Sequence, residues 1–461
     1  MFRMLVALLL AAAFGGQACA QPSGRQSWIV VRDAETETLL RTIANPLFRA
    51  AGVDPGLVRI ILLRDDAINS FVSTGNRMFI NTGLIAGAKS VGEIVGVLAH
   101  ETGHISGGHL ARLPDAMREA MLETIAATLF GAAAAVGGSQ GRSGGPFRDN
   151  SAGDAGLGAM LGGQQLAMRN FLSFTRGIEA AADQSAVRVL DRLHWPAQGM
   201  LDLFRRLENE TVLTTAMQDP YLQTHPLTQS RIEFVNHHLA GSPYAKAALP
   251  ASFEPAFQMV RAKLQGFLAP SSVTLARVKS DDQSAPARYA RAIALYRLGH
   301  TDDAIKLIDG LLAEQRANPW LYELKGQVLF EGGRGALSIA PYREAARLAP
   351  EQSQIRTALA RALIETGDPA QLRPAIAELQ SALAREADDG DSWRALATAW
   401  GHLGDLGQAN LALAEEAMLN GDIARANLLA GKAEKLLPAG QARMRASDIS
   451  NAVKRENRKG F

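Results

Sequence analysis

The chain has 461 residues, roughly two to three times the length of one typical domain, and 47% of them are apolar, so more than one sizeable core is expected. A formal net charge of +2, with basic and acidic residues interspersed, excludes a broad positive surface and with it nucleic acid as the expected partner. Cys19 is the lone cysteine, which excludes a disulfide framework.

Residues 1–20, MFRMLVALLLAAAFGGQACA, join one basic residue, an apolar run and the small-residue pattern Ala18-Cys19-Ala20. They read as a secretory signal peptide cut after Ala20, which places the mature, thiol-free protein in a periplasm. The most apolar later stretch, Thr124 to Gly138, is shorter than the about 20 residues a spanning helix needs. The mature chain is therefore expected to be soluble or peripherally attached to a membrane.

In ETETLLRTIANPLFRAAG, Leu39, Leu40, Ile43 and Leu47 recur at helical spacing and predict a packing helix. VRIILL (58–63) and INSFVS (68–73) read as strands. Thr74-Gly75-Asn76 is a turn, and RMFIN (77–81) returns antiparallel, as an edge strand open to an extended peptide. Ser90-Val91-Gly92-Glu93 is a capping-box pattern that announces the next helix.

That helix carries VLAHETGH. At 3.6 residues per turn, His100 and His104 project from one face and can hold a single zinc ion, with Glu101 beside the position left for water. Three protein ligands are needed to leave that position open. A histidine six residues after His104 would complete one pattern, but Leu110 stands there and His109 is one residue out of phase. The other common solution is a glutamate from a later helix. SFTRGIEAAADQSAVRVLDRL offers Glu179 as the third ligand and, four residues on, Asp183 to accept a hydrogen bond from a ligand imidazole.

Between these pieces, residues 131–165 are rich in glycine, alanine and serine and read as a flexible loop, either a cover for the site or a membrane-touching segment. Thr224-His225-Pro226 follows the acidic helix and reads by itself as a helix-entry turn. Beyond about residue 268 short helices alternate with Gly turns. Gly299, Gly333 and Gly367 lie 34 residues apart and Gly404 follows 37 later, a period that resembles tetratricopeptide repeats. NAVKRENRKGF reads as a solvated, frayed tail.

The NSF within residues 68–71, RMFINTGLI, HETGH, EAAAD and THPLTQSRI together resemble the soluble branch of the HtpX-like and prenyl-protease metallopeptidases, which are gluzincins. The resemblance spans about residues 60 to 235 and implies one Zn²⁺ per chain held by His100, His104 and Glu179. It further implies Glu101 as general base, Asp183 as orienter, and His225 near the metal or oxyanion with Arg231 nearby. With a signal peptide and repeats added, it implies a periplasmic endopeptidase acting on misfolded or stalled outer-membrane proteins, with their assembly machinery as partner. The competing expectation is a repeat-based chaperone or assembly adaptor whose metal site stays mostly closed.

The expected fold is α+β and mostly helical. A signal peptide (1–20) precedes a zinc metallopeptidase domain with a small sheet (21–267), an all-α repeat domain (268–440) and a basic tail (441–461).

Overall fold

The structure is a computed structural model that describes residues 28–109, 173–213, 225–279 and 281–459. The expected signal peptide and the glycine-rich stretch 131–165 lie outside the described residues. The chain is mostly helical with one small sheet.

The first helix, α1 (Ala34–Ala50), starts where the Asp33 carboxylate accepts from the Thr36 amide, and it buries Leu39, Leu40, Ile43 and Leu47 as the spacing predicts. The sheet consists of β1 (Val30–Val31), β2 (Arg59–Leu63), β3 (Ser70–Ser73) and β4 (Arg77–Asn81), in the spatial order β1-β2-β4-β3. β4 runs parallel to β2 and antiparallel to β3. The β3–β4 turn forms as expected, with Gly75 and Asn76 both at positive φ (77° and 53°), the pair a tight hairpin turn requires.

RMFIN is not the edge strand. It lies between β2 and β3, and β3 is the edge. The reason is visible in its composition: Met78, Phe79 and Ile80 are all buried, so both faces of β4 are covered. Consecutive apolar residues of this kind belong in the middle of a sheet.

After the short α2 (Thr82–Gly87) comes α3 (Val91–Ser106), which carries the HETGH motif. Ser90 occupies the N-cap but its side chain makes no capping bond. Glu93 instead pairs with Arg206 at 2.6 Å and accepts from the Lys89 amide, while Glu254 accepts from the Val91 amide at 2.8 Å. A charge-assisted tertiary bond has displaced the local capping box.

Four more helices complete the first core: α4 (173–192), α5 (Gln198–Leu213), α6 (Gln229–Gly241) and α7 (Phe253–Leu268). Two glycines let them approach α3. A Cβ on Gly96 would lie 2.7 Å from the Met200 Cα of α5, and one on Gly103 would lie 2.6 Å from the Ala182 carbonyl of α4. The second contact brings the acidic helix onto the motif helix.

Beyond α8 (Ser271–Arg277), helices stack in sequence: α9 (Ala285–Arg297), α10 (Thr301–Glu314), α11 (Pro319–Glu331), α12 (Gly335–Leu348), α13 (Ser353–Glu365), α14 (Pro369–Leu383), α15 (Gly390–His402), α16 (Leu406–Leu419), α17 (Ile423–Leu436) and α18 (Gln441–Lys459). Gly299, Gly333, Gly367 and Gly404 all turn at positive φ, as their period predicts. Gly421, also at positive φ, follows Gly404 by only 17 residues and halves the spacing. The part of α18 that precedes NAVKRENRKGF packs onto the repeats. Ala446 and Ile449 of α18 are buried against α16 and α17, and Arg445 pairs with Glu415 at 2.6 Å.

α7 serves both parts of the chain. Phe257, Val260 and Leu264 belong to the first core, whereas Met259 and Ala262 pack with Tyr289, Ile293 and Leu324 of the repeats. At this junction the buried Lys263 ammonium lies 2.5 Å from Asp33, 3.4 Å from Glu35 and 3.7 Å from Glu323.

Candidate metal centre

α3 and α4 place the predicted residues together. His100, Glu101 and His104 come from α3, and Glu179 and Asp183 from the facing turns of α4. His225 and Arg231 arrive from the start of α6 and the segment before it. All seven are buried. One ligand atom from each of His100, His104, Glu179 and His225 lies within 4.8 Å of the others.

The geometry is that of a donor set facing a common point. The Nε2 atoms of His100 and His104 are 3.0 Å apart, and His100 Nε2 is 3.3 Å from His225 Nδ1. Glu179 reaches both α3 imidazoles, at 3.3 Å and 3.4 Å, and both its oxygens lie 3.2 Å from His225 Nδ1. Three ring nitrogens this close, with a carboxylate between them, suit a divalent cation whose ligands are neutral imidazole and carboxylate.

Each imidazole is oriented from behind. His100 Nδ1 lies 2.8 Å from Asp183 Oδ1, so a proton on Nδ1 leaves Nε2 free to bind. Arg231 donates to both Asp183 oxygens, at 2.6 Å and 2.9 Å, lies 3.0 Å from Glu179, and stacks 4.8 Å above the Phe204 ring. Behind His104 stands His109, Nδ1 to Nδ1 at 3.2 Å. The spacing that removes His109 from the ligand positions gives it this supporting place.

Electrostatics follow from burial and these contacts. Burial pushes the Glu179 carboxyl up, but hydrogen bonds with His100, His104 and His225 outweigh it and hold the group well below the usual carboxylate range. Burial likewise opposes ionisation of Asp183, and Arg231 and His100 reverse the sign. For His100, burial lowers the pKa, yet Asp183 and Glu179 raise it to about 9. His104 is lowered, first by burial. Both acids are thus anionic in the folded chain.

Glu101 lies on the β3 side of the donor set, its Oε1 3.4 Å from His225 Nε2. Ser70 Oγ of β3 donates to its Oε1 at 2.8 Å, and among the described residues its buried Oε2 has no hydrogen-bond partner. A buried carboxylate oxygen without a partner is costly unless something else occupies its place, and this one fits a water beside a metal. The Ser70 carbonyl oxygen is 3.1 Å from His225 Nε2. Ser70 and His109 are the contributors that motif reading overlooks. Ser70 follows Asn69 in the NSF segment, which had carried only a resemblance.

Fold and centre together define a metallopeptidase: residues 34–239 match peptidase family M48, and residues 286–416 match the family described as tetratricopeptide repeat. The chain thus carries an M48 peptidase domain followed by tetratricopeptide repeats. It is 25% identical over 410 residues to the Yersinia pestis protein named β-barrel assembly-enhancing protease, covering 87% of this chain and 80% of that one. The protein of the same name from Escherichia coli strain K12 is 25% identical over 387 residues, 82% of this chain and 74% of its own. A solved structure named MamA MSR-1 C2 covers 36% of this chain and 96% of its own, at 17% identity and a TM-score of 0.31.

Proposed function

We propose that this chain is a periplasmic zinc endopeptidase that hydrolyses misfolded or stalled envelope proteins, with outer-membrane proteins and their assembly machinery as substrates and partners. The observation that carries the reading is the convergence of His100, His104 and Glu179 beside the orphaned Glu101 oxygen. The names of the relatives support the destination. One zinc ion is assigned to His100, His104 and Glu179; when bound it supplies a Lewis acid that polarises the scissile carbonyl and acidifies the attacking water.

The remaining roles belong to the chain. Glu101, fixed through Oε1 by Ser70, has Oε2 available to take a proton from that water and pass it to the leaving amine. Asp183 sets the His100 tautomer, and Arg231 keeps Asp183 ionised and in place. An extended substrate adds to the edge of β3, the strand that touches Glu101, rather than to β4. His225 stands in the way, joined to Glu179 on one side and to the Ser70 carbonyl on the other. This supports a resting state closed by His225. Residues 21–267 are assigned to catalysis, the signal peptide (1–20) to export and 268–440 to targeting.

Zinc content and casein hydrolysis of Glu101→Gln test the reading: zinc should remain near one per chain while proteolysis disappears. Loss of zinc in this variant would contradict the role given to Glu101. The burial of every site residue also favours a second reading, a repeat-based chaperone or adaptor with a closed centre. Full complementation of an envelope-assembly defect by Glu101→Gln would select it.

A further inference from the structure

Phe71, next to Ser70 on β3, belongs to an aromatic cluster on the other face of the sheet, with Phe79 of β4 and Trp28 from ahead of β1. Phe71 and Phe79 stack with centroids 4.9 Å apart and planes at 16°. Trp28 meets both edge-on, at 5.7 Å and 5.3 Å. Trp28 is 54% exposed and is followed by the exposed Ile29 and Val30, so the cluster opens to solvent. Phe79 is buried beneath the other two rings, so the accessible apolar surface is that of Trp28 and the half-buried Phe71, at the edge strand that carries Ser70.

The register of β3 fixes how a substrate would meet these rings. The Asn69 carbonyl accepts from the Asn81 amide, so it points into the sheet, and Phe71 is paired with Phe79. Backbone groups alternate along a strand, so those of Ser70 and Val72 point outward, as the Ser70 contact with His225 shows. An added antiparallel strand therefore bonds to Ser70 and Val72 and places one residue opposite Phe71, in the non-hydrogen-bonded position where cross-strand side chains come closest. Its neighbour opposite Ser70 faces Glu101 and the metal ligands.

We infer that Phe71, backed by Phe79 and flanked by Trp28, is a specificity-determining subsite that selects an aromatic or large aliphatic side chain within one or two residues of the scissile bond. The inference rests on the proteolytic reading above and narrows its substrate to extended segments with apolar residues at alternating positions. Strands of membrane β-barrels have that pattern, with aromatic residues at their ends.

The test uses the full-length zinc-loaded protein and mass-spectrometric mapping of cuts in unfolded casein, followed by kinetics on a peptide cut there and its Phe→Ala counterpart. Cuts should share an aromatic or large aliphatic residue at one fixed position. The kcat/KM ratio between the two peptides should be roughly 10 for the wild type and fall toward 1 in Phe71→Ala and Trp28→Ala, with the loss in KM. Trp28→Ala, at an exposed site, keeps the test open if Phe71→Ala does not fold. No fixed-position preference, or one that survives both substitutions, overturns the inference. If the wild type cuts nothing, the mapping is repeated on His225→Ala, and the proteolytic reading fails on its own if that protein cuts nothing either. Fluorescence anisotropy of a Phe-containing casein peptide and its Phe→Ala counterpart on Glu101→Gln then decides the subsite: tighter binding of the Phe peptide upholds it and equal binding overturns it.

Discussion

His225 bridges the sheet edge and the ligand group: its Nε2 lies 3.1 Å from the Ser70 carbonyl oxygen, while its Nδ1 lies 3.2 Å from both oxygens of Glu179. One ring thus fills the backbone position a substrate strand would use and crowds the donor set. Removing it should open both. His225→Ala is expected to raise basal casein hydrolysis over wild type. A fall of roughly 100-fold would instead give the ring an oxyanion role, and an unchanged rate would remove it from the reaction.

Metal affinity should grade with distance from the donor set. Glu179→Ala removes a proposed ligand and should abolish stoichiometric zinc, whereas Asp183→Ala should weaken binding by roughly 10- to 100-fold by freeing the His100 ring. His109→Ala should act in the same direction through His104, by roughly 10-fold. Chelator competition measures all three, and a Glu179→Ala protein with full zinc would send the third ligand elsewhere.

The junction cluster predicts a pH dependence of stability. Burial, opposed by Lys263, raises Glu35 from 4.5 to about 7, and burial also raises Glu323. The neighbours are Asp33, Lys263 and the Tyr289 hydroxyl, which donates to Glu35 at 2.8 Å. One lysine cannot hold three carboxylates ionised, and Asp33, the nearest, is the one lowered. A raised acid keeps its proton in the folded chain after the unfolded chain has lost it. Its stabilisation is full below pH 4.5 and vanishes as pH rises through about 7, on the order of 3 kcal/mol at most for Glu35. Melting temperature should therefore fall over that window. Glu35→Gln should reduce the slope, and adding Glu323→Gln should flatten it; an unaltered slope would place the titration elsewhere.

Cutting the chain after Phe267 retains every proposed ligand but leaves Lys263, Met259 and Ala262 without Tyr289, Ile293 and Glu323. Such a fragment should still bind zinc, yet melt lower than the full chain by roughly 5 °C or more. Equal melting temperatures by circular dichroism would make the repeats independent of the peptidase domain. A folded fragment without zinc would make them necessary to the centre.

Much of this protein is legible in its residues because the relevant physics is local. The 3.6-residue turn alone puts His100 and His104 on one face, and Glu179 and Asp183 on another. The 34-residue recurrence of Gly299, Gly333 and Gly367 marks turns that only a residue at ease with positive φ makes cheaply. Where a competing partner lies far along the chain, local rules fail. The Ser90 capping box yields to Arg206 and Glu254.

Tertiary structure alone decided the rest. No spacing rule says that RMFIN lies inside the sheet and leaves β3 at its edge, since strand order is set by which faces find cover. Nor does any say that a ring from position 225 reaches the Ser70 carbonyl, 155 residues earlier, or that His109 backs His104. Sequence determined which side chains can do metallopeptidase chemistry, because that follows from residue type and helical period. Packing determined which of them meet and in what state of charge, because burial and long-range ion pairs exist only once the chain has closed on itself.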